Sequence, residues 1–145
     1  MKNILFVCTG NTCRSPLAEA MLKEKAAGEL EVRSAGIHAA PGMQASAHTV
    51  KVLEERSIPL HHFSRPLTQE LIDWADLVLT MTKSHHNVAV QQYPAAADKI
   101  FTINEFADIP GDIQDPIGGS IDMYRTTAEE IERAIEVLLE NVRKA

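Results

Sequence analysis

A chain of 145 residues with 45% hydrophobic residues can bury one sizeable core and no second one, so residues 1–145 are expected to form a single domain. A net charge of -6 with no cluster of Lys or Arg argues against nucleic acid as the main partner, since that affinity rests on neutralising phosphates. No apolar run approaches the roughly 18 residues a membrane span needs, and Met1-Lys2-Asn3 leads straight into a strand, so no membrane partner and a cytoplasmic location are expected.

The first element is Ile4-Leu5-Phe6-Val7, an uninterrupted apolar run of the kind found in a parallel strand buried on both faces. It runs into Cys8-Thr9-Gly10-Asn11-Thr12-Cys13-Arg14-Ser15, a tight loop, after which a helix opening with Pro16 places Leu17, Ala18, Met21 and Leu22 at helical spacing. Glu31-Val32-Arg33-Ser34 is a second short strand, ended by Ala35-Gly36. A helix over Ser46 to Glu55 is expected to turn Ala47, Val50 and Leu53 inward.

Asp76 to Met81 forms the third strand and Lys83 to Gln92 a helix stopped by Tyr93-Pro94. Lys99-Ile100-Phe101-Thr102 is the fourth strand. A long irregular loop, Ala107 to Gly119, precedes a last helix whose Tyr124, Ala128, Ile131, Ile135, Leu138 and Val142 recur at four and three residues, with Glu129, Glu132, Arg133 and Glu136 outward. Alternating strands and helices predict an α/β fold of three layers, a four-stranded parallel sheet flanked by helices. Ligands in such folds bind beyond the carboxyl ends of the strands, where Cys8 falls.

The loop's chemistry follows from that position. Backbone N–H groups and the positive end of the helix dipole converge there and suit a phosphate-like dianion. Gly10 can adopt the positive φ such a wrap needs, and Asn11 tolerates it better than most residues. The same dipoles, with Arg14, favour thiolate over thiol at Cys8 and make it a nucleophile. Arg14 can hold two oxygens of a tetrahedral anion and follow them into the equatorial plane of a phosphoryl-transfer transition state. Ser15 is placed to donate its hydroxyl to the Cys8 sulfur. Asp115, followed by Pro116 in the long loop, is the candidate proton donor, although local sequence leaves a simple turn-initiating Asp equally open.

The stretch FVCTGNTCRSPLAEA resembles the signature of the low-molecular-weight protein tyrosine phosphatase family, and the similarity continues through RSAG (Arg33 to Gly36), ADLVLTMT (Ala75 to Thr82) and DPIGGS (Asp115 to Ser120). The resemblance implies a phosphocysteine mechanism in which Cys8, Arg14 and Asp115 are catalytic, with Asp115 donating to the leaving group and then activating water. It also implies that Thr9, Gly10, Asn11, Thr12, Cys13 and Ser15 bind the substrate phosphate.

The chain departs from the tyrosine phosphatases where the family places ring-stacking aromatics. Those positions read Ile117-Gly118-Gly119 and Ile37-His38-Ala39-Ala40-Pro41, and only His38 offers a weak stacking surface. Thr12 replaces a usual aliphatic residue, narrowing the mouth and adding a hydroxyl. These departures resemble the bacterial protein arginine phosphatase branch, and imply phosphoarginine in proteins as substrate, with a protein arginine kinase as the opposing activity. In that reading Asp115 also pairs with the substrate guanidinium. A monomer without cofactor is expected.

Three other chemistries share parts of this pattern. A thioredoxin-coupled arsenate reductase needs two further cysteines, and only Cys8 and Cys13 are present. A sugar-transport phosphocarrier would not need the Arg14-Ser15 pair or an Asp-Pro acid. A redox-sensing or phosphate-binding module rests on Cys13, which is expected to trap an oxidised Cys8 as a disulfide, in a protein whose thiols otherwise suit a reducing compartment. The adjacent pairs His61-His62 and His85-His86 point their members in different directions, so no metal site is expected and both read as structural, as does Trp74.

Overall fold

The computed structural model describes residues 2–144. Strand β1 (Asn3–Cys8) lies at the centre of a parallel sheet, paired with β2 (Glu31–Gly36) on one side and β3 (Leu77–Thr80) on the other, while β4 (Ile100–Thr102) extends the sheet beyond β3. The order β2-β1-β3-β4 makes the chain reverse direction across the sheet between β1 and β3. The carboxyl ends of these two strands therefore diverge around a crevice, the usual ligand position in such sheets.

Alternation of side chains across β1 explains the layers. Ile4 and Phe6 face one side and pack with α1 (Arg14–Ala26), α2 (Ala47–Glu55) and α6 (Ile121–Lys144). Leu5 and Val7 face the other and pack with α3 (Gln69–Trp74) and α4 (Lys83–Gln92). Both faces are covered, which is why Ile4 to Val7 carries no polar residue. The predicted three-layer α/β fold is the one observed, and no described helix is long and apolar enough to cross a membrane.

Helix α6 buries Tyr124, Ala128, Ile131, Ile135 and Leu138 as its spacing predicts, and adds Thr127, Ala134 and Leu139 to that face. Each fully buried Ile or Leu contributes roughly 1.5–3 kcal/mol over an exposed one. Two expectations are corrected. Helix α1 begins at Arg14, with Cys13 as its N-cap, so Pro16 lies within the first turn, where its missing N–H costs nothing. In α2 the buried side chains are Thr49, Val52 and Leu53; Ala47 is exposed and Val50 half-buried. Ser46 caps that helix by accepting from the Thr49 N–H and donates its own hydroxyl to Thr49 Oγ1 at 2.8 Å, which allows the threonine to be buried. Two short helices, α3 and α5 (Ile103–Phe106), add to the elements expected from the sequence. Thr68 and Thr102 cap them by accepting from Leu71 N and Glu105 N.

Candidate active site

Beyond β1 the chain wraps over the sheet edge before entering α1. Cys8 and Thr9 remain tied to the neighbouring segment, since their carbonyls accept from Ile37 N and His38 N at 2.9 Å each. The wrap needs one left-handed residue, and that residue is Asn11 at φ 57°, not Gly10. Asn11 is fully buried and held from four directions. Its Oδ1 accepts from Arg65 N at 3.0 Å, its carbonyl accepts from His62 Nε2 at 2.6 Å, and its Nδ2 donates to Ser15 Oγ at 2.8 Å and Ser34 Oγ at 2.9 Å. These bonds offset the steric cost of the conformation. A Cβ on Gly10 would meet only Thr12 Oγ1, at 3.7 Å, so Gly10 leaves the outer face of the loop unobstructed without supplying the turn.

The amide fixes the direction of a chain of hydroxyls. Because Ser15 Oγ accepts from Asn11, its own proton is free for Cys8 Sγ, 2.8 Å away. Ser34 likewise accepts from Asn11 and donates to Glu19 Oε1, whose other oxygen is paired with Lys23 at 2.6 Å. His62 Nδ1 lies 3.9 Å from Glu19. The sulfur is thus the acceptor at the end of Asn11 → Ser15 → Cys8.

Arg14, 4% exposed at the first position of α1, donates from Nη1 to the Ile113 carbonyl at 3.1 Å and brings Nη2 to 3.5 Å from Asp115 Oδ2. Ile113 is the buried anchor of the long loop: its N–H donates to Met81 O at 3.0 Å, and the preceding Asp112 accepts from Lys83 N at 2.9 Å. Asp115, two residues on, accepts from Ile117 N at 3.1 Å through Oδ1 and is 45% exposed. One anchored loop therefore places the carboxylate at the loop's mouth and the carbonyl that orients the guanidinium. Cys13 gives no side-chain cap to the first amides of α1, which leaves them for an anion.

Thr9 and Gly10 lie on the outer side of the loop and Thr12 is half-buried beside them, its carbonyl accepting from Ser46 N. Cys13 is buried, with Thr12 Oγ1, Ser46 Oγ and Tyr124 OH around its sulfur at 3.8, 3.6 and 3.5 Å. Burial and the Cys13 contact hold the Tyr124 phenol above its ordinary value. Ile117 is 68% exposed beside Asp115. Among the described residues, no group of His, Cys, Asp and Glu is arranged to hold a metal ion.

A model of the family described as low molecular weight phosphotyrosine protein phosphatase matches residues 3–145. The chain belongs to this family. It is 47% identical over 146 residues to the protein-arginine-phosphatase of Bacillus subtilis strain 168, covering 98% of this chain and 97% of the relative. Identity to the low molecular weight protein-tyrosine-phosphatase PtpB of Staphylococcus haemolyticus is 38% over 128 residues, 88% of this chain and 91% of that one. A solved structure of the YwlE arginine phosphatase, a cysteine-to-serine mutant with a phosphorylated active site serine, superposes with a TM-score of 0.95 at 46% identity, over 98% of this chain and 96% of the other.

Two parts of the phosphatase site were not read from sequence. The partners of Asn11 beyond the loop, namely Ser34, His62 and the Arg65 amide, come from two separate segments, and Glu19 of α1 closes the network by accepting from Ser34. The other is His85 in α4, whose Nε2 lies 2.7 Å from Thr9 Oγ1. The available signal was Thr82-Lys83-Ser84-His85, an N-cap threonine with histidine in the third helical position, directly after a strand that ends at the crevice.

Burial first, and then the Arg14 charge, push the His85 imidazole down to about 4, against opposing pulls from Asp115 and Asp112 and a smaller push from His38. Its neutral form is favoured in the folded state, so its contribution to stability is present above pH ~6.5 and is lost as pH falls towards about 4, on the order of 2 kcal/mol. Urea unfolding of the wild type and His85→Gln at pH 7.5 and 4.5 should show the smaller acid loss in the variant. Identical losses would contradict the assignment.

Proposed function

We propose that this protein is a phosphoprotein phosphatase acting on phosphoarginine through a phosphocysteine intermediate, with residues 1–145 serving as one phosphatase domain and the monomer as the working unit. Cys8 attacks phosphorus, forming the S–P bond as the P–N bond breaks, and Asp115 supplies a proton to the departing guanidine nitrogen. Water then attacks the phosphocysteine with Asp115 taking its proton, phosphate leaves, and the Cys8 thiolate returns. Arg14 and the amides of Thr9 to Ser15 hold the phosphoryl oxygens through both steps.

The observation that carries the reading is the direction of the hydroxyl chain: Ser15, itself a hydrogen-bond acceptor of Asn11, spends its only proton on Cys8, 2.8 Å away. The preference for arginine rests on the mouth. Asp115 stands beside an exposed aliphatic Ile117, where a tyrosine phosphatase would stack a ring, and Thr12 borders the entrance. Besides donating a proton, a carboxylate at that place can pair with a guanidinium, a contact that a phenol ring cannot make. A protein arginine kinase would be the opposing activity, and reversible oxidation of Cys8 by way of Cys13 belongs to the same reading.

Turnover of matched phosphoarginine, phosphotyrosine, phosphoserine and phosphohistidine peptides tests it. Wild type should favour phosphoarginine over phosphotyrosine by at least about tenfold in kcat/KM, and Thr12→Ile should shift that ratio towards tyrosine by a similar factor. A wild-type preference for phosphotyrosine would remove the arginine assignment and leave the phosphatase.

A further inference from the structure

His85 takes no part in the steps above, yet it reaches across the crevice from α4 to the residue that follows the nucleophile. Its backbone N–H donates to the Thr82 cap at 3.1 Å, its ring is buried at 8% exposure, and Nε2 lies 2.7 Å from Thr9 Oγ1. The other ring nitrogen, Nδ1, is buried and has no hydrogen-bond partner among the described residues. Burial and the nearby Arg14 keep the imidazole neutral across the ordinary working range, so one of its nitrogens is bare.

An orphaned buried N–H is costlier than an empty lone pair, and more so beside a guanidinium cation. We therefore assign the ring proton to Nε2, which makes Thr9 Oγ1 the acceptor of this bond. A hydroxyl that accepts in this way directs its own proton elsewhere. Thr9 is an exposed residue of the loop, at the side of Gly10 and next to the buried Cys8.

We propose that His85 is a positioning residue: by donating Nε2–H to Thr9 Oγ1, it turns the Thr9 hydroxyl proton towards the mouth of the loop as an additional donor to a substrate phosphoryl oxygen. The arrangement repeats the polarity of Asn11 → Ser15 → Cys8 on the opposite flank. One chain ends on the sulfur, the other on the group the sulfur attacks. The proposal rests on the loop binding phosphate, and its test separates the two.

Inorganic phosphate serves as the probe, measured as a competitive inhibitor of the full-length protein. His85→Leu should raise its inhibition constant and the KM together by about fivefold, with kcat changed by less than about twofold. His85→Gln, whose amide N–H can occupy the place of Nε2, should return both to within about twofold of wild type. In a Thr9→Val background, His85→Leu should have no further effect on phosphate inhibition, which a purely structural role would not predict. An unchanged inhibition constant in His85→Leu, or a full additional loss on top of Thr9→Val, overturns the proposal. Should His85→Leu fail to fold, Thr9→Val against Thr9→Ser carries the same test, and equal inhibition constants in those two overturn it. A wild type that phosphate does not inhibit brings down the phosphate-loop reading itself, and this proposal with it.

Discussion

Cys8→Ser is expected to lower turnover by roughly 10⁴- to 10⁶-fold while leaving the fold and phosphate binding intact. Cys8 is 2% exposed at the end of a central strand and its sulfur is hydrogen-bonded to Ser15, so the substitution replaces the nucleophile by a slightly smaller atom that Ser15 can still reach. The complementary variant is Asp115→Asn. A substrate with a good leaving group, such as an aryl phosphate with an electron-withdrawing ring, should still phosphorylate Cys8 in that variant, because the first step then needs no proton. The second step lacks its base, so the adduct should accumulate and be recoverable after acid quench as phosphate attached to Cys8. If no thiophosphate forms in Asp115→Asn, the covalent mechanism is wrong. If it forms and decays at the wild-type rate, the role given to Asp115 is wrong.

Gly36→Ala is expected to cost about 2–4 kcal/mol of stability and to depress kcat/KM by about 100-fold or more. Gly36 ends β2 opposite Cys8, and the wrap of the nucleophile loop passes directly over it. A Cβ there would stand 2.5 Å from the Thr9 carbonyl oxygen, 2.9 Å from Asn11 N and 2.9 Å from Ala39 Cβ. Two of these three are backbone atoms, so no rotamer change relieves the contact, and the loop itself has to move. Gly36 also donates to Arg65 O at 3.0 Å and accepts from Leu67 N at 3.0 Å, which prevents the strand end from retreating. Urea unfolding with turnover on the same preparation checks this. A normal kcat/KM in a destabilised Gly36→Ala protein would show that the loop tolerates displacement, contrary to the geometry.

The layers of the fold were legible because their signals are local. Ile4 to Val7 has the length and uninterrupted apolarity of a strand buried on both faces, and the spacing of Ile131, Ile135 and Leu138 selects one face of a helix. The Cys8 loop was legible for a different reason: its chemistry is written in eight consecutive residues. What escaped depends on which segments meet. Asn11 takes the positive φ in place of Gly10 because Arg65, His62 and Ser34 are there to hold its side chain and carbonyl, and no local preference announces those partners. His85 reads as an ordinary helical histidine until the strand order sets β3 beside β1 and brings α4 against Thr9. Helices α3 and α5 are too short for periodicity to detect, and only their threonine caps mark them.

The amide of Asn11 has its oxygen committed to the Arg65 backbone, so it has no freedom to rotate and exchange its two ends. Two hydroxyl protons, one aimed at the nucleophile and one aimed away from it at Glu19, inherit their headings from that single planar group. An isosteric Asn11→Asp change would keep the shape and erase the compass: with acceptors facing both serines, Ser15 would swing its hydrogen back towards the carboxylate and leave the sulfur unattended.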